Sequence, residues 1–166
     1  MSSEGCEGPS SSITFEQDAD PVLPNISVSG DDCEGGEKVL TSSAEMYNVW
    51  NTAEETQSIV AVTAGEYFLN VVWPNGCTSD TAKVSVTFNP TPNKPVVRQE
   101  GESITTDSTQ GDVFTWTDGD GNVVYQGENA TYAPDKTDDY FVKVTNSSGC
   151  ESEVSDSFSF THTSIK

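Results

Sequence analysis

Basic residues are scarce in this chain: seven Lys and Arg stand against 27 Asp and Glu over 166 residues, a formal charge of −20. Long-range repulsion therefore opposes nucleic acid and anionic membrane surfaces as partners. Histidine is reduced to His162, near the C-terminal end, so no Ser or Cys in the body of the chain has an imidazole to act as its base. No Gly-x-Ser-x-Gly elbow occurs either. The same scarcity, with no two cysteines close together, argues against zinc. Carboxylates are plentiful, but nothing points to the α/β or barrel scaffold that glycosidase chemistry would use, and a non-catalytic chain is expected. Long apolar runs are missing too. Residues 1 to 30 hold no apolar core, which excludes a cleavable export signal or a spanning segment there. With Met1 at its head, the chain reads as an excised piece of a larger exported protein.

Apolar residues make up 33% of the chain, and none of them recur at sustained helical spacing. They form short alternating runs instead: Ile59 to Val62, Tyr67 to Trp73, Ala82 to Phe88, Val123 to Tyr125 and Tyr140 to Val144. Turn-forming clusters separate them, among them Trp73-Pro74-Asn75-Gly76, Thr117 to Asn122 and Asn146 to Gly149. Strands at this density, rich in β-branched and aromatic residues, predict an all-β sandwich.

Gly-Cys occurs three times, at Gly5-Cys6, Gly76-Cys77 and Gly149-Cys150, with the cysteines 71 and 73 residues apart. Tyr67 and Tyr140 each lie ten residues before the next Gly-Cys, and Trp50 and Trp116 lie upstream of them. Asp20-Pro21-Val22-Leu23-Pro24-Asn25 also resembles Pro90-Thr91-Pro92-Asn93-Lys94-Pro95. A fixed period of this kind marks a tandem array. The expected division is a strand remnant and linker over residues 1–20, one repeat over 21–90 and a second over 91–166. Ser10 to Glu16 alternates like the last strand of a preceding copy, expected to be disordered or annexed by another chain.

A copy of about 70 residues buries only a modest core, and four cysteines favour an exported, disulfide-stapled protein. Cys33 and Cys77 are expected to pair inside the first copy, closing a 44-residue loop that stabilises it by roughly 4 kcal/mol. The second copy has Gln99-Glu100 where a counterpart of Cys33 would stand, leaving Cys150 without an internal partner. Cys6 is likewise unpaired. Free thiols are expected at both, with a Cys6–Cys150 bond as the alternative.

Two places carry the patterns of a binding site. Asp118-Gly119-Asp120-Gly121-Asn122 puts oxygen ligands on alternate residues, like half of a calcium loop, with Asp138-Asp139 as further ligands. It lacks the distal bidentate Glu, and a hairpin needs Asp-Gly or Gly-Asn at such a place for backbone reasons alone. Trp73, beside Pro74 and Asn75 at a hairpin tip, has no aromatic counterpart in the second copy, where Asn146 stands. Trp73 and Asn75 are therefore the candidates for ligand contact. Trp50 and Trp116 are expected in the core rather than stacked on sugars, and Tyr67 and Tyr140 as tyrosine-corner residues.

Taken together, Cys33-x-Gly35, Tyr47-x-x-Trp50, Gly65-x-Tyr67-x-x-x-Val71 and Gly76-Cys77 resemble the immunoglobulin-like, PKD-like repeats of Bacteroidetes surface proteins, including gliding adhesins and multimodular secreted enzymes. The second copy keeps Trp116, Tyr140-x-x-x-Val144 and Gly149-Cys150, and adds Thr131-Tyr132-Ala133-Pro134. The resemblance implies tandem immunoglobulin-like β-sandwiches on the cell surface, acting as spacer, stalk or adhesive unit. Neighbouring repeats, polysaccharide or another cell surface would be the partners, with no cofactor beyond Ca2+. It also implies type IX export and O-glycan acceptors at Asp80-Thr81-Ala82 and Asp107-Ser108-Thr109. The alternative is a carbohydrate- or calcium-binding module accessory to a secreted hydrolase.

Overall fold

The computed structural model describes residues 11–14, 21–108, 111 and 113–163. Among them there is no helix. The first half contributes β1 (Ile26–Gly30), β2 (Lys38–Ser42), β3 (Asn48–Trp50), β4 (Ser58–Ala61), β5 (Gly65–Val71) and β6 (Ala82–Val86). They form two antiparallel sheets, ordered β1-β2-β4 and β3-β5-β6. The second half contributes β7 (Val97–Glu100), β8 (Ser103–Thr106), β9 (Val113–Thr117), β10 (Val123–Gly127), β11 (Thr131–Tyr132), β12 (Asp138–Thr145) and β13 (Phe158–Phe160). Its sheets are β7-β8-β11 and β10-β9-β12-β13. The halves correspond strand for strand, except that β10 is added beside β9.

Alternation explains the layering. In β2, β4 and β5 every second side chain turns inward, as the two-residue period of a strand requires. Leu40, Ile59 and Ala61 from one sheet meet Trp50, Tyr67, Leu69, Ala82 and Val86 from the other in one core. The second half repeats this with Ile104 from one sheet and Phe114, Trp116, Tyr140, Val142, Val144 and Phe160 from the other. The two cores share no residue, so each half is a sandwich-like unit with its own apolar interior. The proline linkers enter them alike. Pro21 and Pro24 are buried ahead of β1, as are Pro92 and Pro95 ahead of β7.

The disulfide expectation needs correction, since Cys33 bonds Cys150, with Cα atoms 5.5 Å apart, and Cys77 is a free thiol. Cys33 and Cys77 sit at opposite ends of β6. Cys77 precedes that strand, whereas Cys33 lies in the β1–β2 loop and bridges Asn89 just beyond it. Five extended residues span about 16 Å, more than twice the roughly 7 Å that a disulfide tolerates between Cα atoms. Cys150 is therefore not a free thiol, and Cys6 lies outside the described residues. Of the Ser10 to Glu16 run, Ser10, Phe15 and Glu16 also lie outside them; Ser11 to Thr14 are irregular and exposed.

Candidate functional site

The built feature of this molecule is the junction between its halves. Beyond β6 the chain lies along the Cys33 loop: Glu34 donates its N–H to the Asn89 carbonyl at 2.8 Å, and Asn89 donates to the Asp32 carbonyl at 2.7 Å. From the other side comes the turn Asn146–Cys150. Asn146 Nδ2 donates to the Pro90 carbonyl at 2.8 Å, and Cys150, fully buried, bonds Cys33. The linker is thus held between a loop of the first unit and a turn of the second, with a covalent bond beside it. A cleft of about 420 Å³ opens there, edged by Asp31, Glu34, Thr91 and Glu151.

The Asn146 turn has a twin. Asn146 N–H donates to the Cys150 carbonyl and Gly149 N–H to that of Asn146; Trp73 N–H donates to the Cys77 carbonyl and Gly76 N–H to that of Trp73. Gly149 and Gly76 both take positive φ, 81° and 89°, a conformation that costs residues with a Cβ about 1–2 kcal/mol. The side-chain bonds differ: Asn75 Oδ1 accepts the Cys77 N–H at 3.1 Å from two residues upstream, whereas Asn146 Oδ1 accepts that of Cys150 at 3.0 Å from four residues upstream, the place Trp73 holds. Trp73 and Asn75 are therefore brought together, Trp73 half-buried and Asn75 exposed, in a turn of the same form as the bonded one.

The Asp118 hairpin is organised from within. Asp118 is buried, and its Oδ1 accepts the N–H of Asn122 at 2.9 Å and that of Asp120 at 3.2 Å, while Lys136 Nζ donates to Oδ2 at 3.2 Å. Lys136 also pairs with Asp138 at 2.7 Å. The Asn122 backbone N–H, aided by Lys136, holds the Asp118 carboxyl below its usual range against the opposing effect of burial. Lys136 does the same for Asp138, which is also helped by the Asp139 N–H. Asp120 and Asn122 lie exposed at the tip. The carboxylate that would anchor a cation thus closes the turn and neutralises a lysine. Among the described residues no three His, Cys, Asp or Glu side chains converge as a metal set.

Trp50 and Trp116 are core residues, at 2% and 0% exposure. The Trp50 indole donates to the Thr56 carbonyl at 2.9 Å. The added β10 replaces the equivalent loop in the second unit, and Trp116 Nε1 is buried without a partner among the described residues. The two tyrosine hydroxyls each donate to a carbonyl four residues upstream, Thr63 and Lys136, both at 3.1 Å. A shallow concavity of about 440 Å³ lies on the outer face of β3-β5-β6, where Phe68 is flanked by Asn51, Asn70, Thr81 and Lys83. No motif in the sequence pointed to it, nor to the contact between Asn146 and the Pro90 carbonyl at the junction. The one signal for the junction was that Asn146 stands where Trp73 does in the other copy.

Fold and junction together define a class: all-β units in series, joined by a proline linker and a disulfide. No known family and no curated protein matches the chain. Among solved structures, one described as "Biofilm associated protein - BSP domain" matches 87% of this chain and 30% of its own length, with 14% identity and a TM-score of 0.36. The chain thus spans less than a third of that protein.

Proposed function

We propose that this chain is a pair of tandem immunoglobulin-like sandwich modules acting as a non-catalytic spacer or adhesive segment of an extracellular surface protein, of the gliding-adhesin kind in Bacteroidetes. The observation that carries this reading is the Cys33–Cys150 bond between units with separate cores. Such a tie removes hinge freedom, which suits a segment that holds two points at a fixed separation. Structural disulfides persist in oxidising compartments, which supports an extracellular location. Neighbouring modules are the first partners and a polysaccharide or another cell surface the second.

A carbohydrate-binding role, accessory to a secreted hydrolase, is the second reading. It draws on the Phe68 concavity, where an aromatic ring among amides, a hydroxyl and an ammonium offers the mixed surface a sugar needs. The test is a binding screen against polysaccharides and bacterial or algal surfaces, with and without calcium, using the chain beside Trp73→Ala and Phe68→Ala. The spacer reading expects no binding and a melting temperature indifferent to calcium. Binding lost in one variant would make the module adhesive and place its site at the turn or on the sheet face.

A further inference from the structure

The junction consists of two halves that are distributed unequally. One half is an arm, the β1–β2 loop Asp31–Glu37, which carries Cys33 out to the linker. The other is a receiving turn, Asn146–Cys150, which grips the linker at the Pro90 carbonyl and bonds the arm. The second module has a receiving turn and no arm, because the β7–β8 connection is cut to Gly101-Glu102. The first module has an arm and also a receiving turn, Trp73–Cys77, with the same backbone hydrogen bonds and the same positive-φ glycine. Its cysteine is the free thiol, half-buried at the end of the module where the chain comes in through buried Pro21 and Pro24.

We infer that Cys77 is an open acceptor for an intermodule disulfide, and that its partner is the arm cysteine of a like module placed N-terminal to Pro21. The inference rests on the tandem reading above and adds a covalent site to it. Cys150 occupies the equivalent place in the equivalent turn and is bonded to such an arm. Trp73 then stands where Asn146 grips the linker, so its half-exposed ring belongs to a module contact rather than to a ligand.

The bond forms by thiol–disulfide exchange with a small disulfide such as oxidised glutathione. A cysteine thiolate attacks it and expels one small thiol; the second cysteine thiolate attacks the mixed disulfide and expels the other. Two S–H bonds and one S–S bond are consumed, one S–S bond and two small thiols appear, and the small disulfide takes both electrons.

Two measurements test this. In the chain as it stands, alkylation under native conditions followed by non-reducing peptide mapping should find Cys33 bonded to Cys150 and Cys77 alkylated. A Cys6–Cys77 bond would overturn the inference while leaving the tandem reading intact. The second measurement uses the full chain with a further copy of residues 21–91, its own Cys77→Ser so that the Cys77 peptide is unique to the original, inserted before Pro21, which recreates the Asn-Pro-Thr-Pro junction of residues 89–92. After refolding with glutathione disulfide, alkylation of the original Cys77 should be lost and its peptide found joined to Cys33 of the inserted copy. A Cys33→Ser change in that copy should restore alkylation. An extended chain that folds, keeps Cys33–Cys150 and leaves the original Cys77 open would overturn the acceptor. An extended chain that fails to fold would overturn the tandem reading and the inference with it.

Discussion

Asp118 and the two corner tyrosines show how single side chains hold this fold. The Asp118 and Asp138 carboxyls are held below their ordinary range. Their ionised forms therefore stabilise the folded state above the unfolded carboxylate pKa of about 4, and that stability drains away as pH falls through the lower folded values. Acid titration of stability in the second module should show this loss below pH about 4, and Asp118→Asn should flatten it while preserving the turn, since an amide oxygen still accepts the N–H groups of Asp120 and Asn122. An unchanged acid limb would refute the assignment. Tyr67→Phe and Tyr140→Phe each delete one hydrogen bond to a carbonyl and should cost roughly 1 kcal/mol in denaturant titrations. Tyr140 should cost more, being fully buried where Tyr67 retains 8% exposure. The tyrosines were legible in sequence because their spacing from Gly-Cys repeats. The Asp118 pattern suits a hairpin turn and a cation ligand alike, and its lysine partner, 18 positions away, leaves no local trace.

At the level of elements, β4, β5, β6, β10 and β12 all lie within or across the alternating runs seen in the sequence, because their two-residue periods are long enough to stand out. β1, β2, β7, β8 and β13 lie outside those runs; β1 and β7 are almost wholly exposed, so they carry no inward stripe and owe their existence to pairing with β2 and β8. The receiving turns depend on glycine. Gly76→Ala and Gly149→Ala introduce a Cβ where nothing lies within 4 Å, so only the positive φ is penalised, by about 1–2 kcal/mol. Equilibrium unfolding should return that loss for both. A loss near zero would mean that the turns relax to another form.

Across the whole molecule, the Cys33–Cys150 bond closes a span of 117 residues, worth roughly 5 kcal/mol on the chain-entropy model. Its removal should act on the arrangement of the modules before it acts on their interiors, because neither core includes a residue of the other half. Cys150→Ser should therefore broaden the small-angle scattering distance distribution and split denaturant unfolding into two transitions. A single transition with unchanged scattering would show that the Asn146–Pro90 contact and the linker alone set the geometry.

Sequence by itself determined the local matters: strands from two-residue alternation, turns from Gly, Asn and Asp, and an all-β class from the absence of helical spacing. It also placed Trp50 and Trp116 as core residues, since repeated large apolar side chains at matching positions have nowhere else to be buried. Only the tertiary structure decided which cysteines meet. Pairing depends on which end of a strand each loop leaves from, and on where a proline linker sets the next module down. Those are distances through space, and the spacing of Cys33, Cys77 and Cys150 along the chain does not encode them.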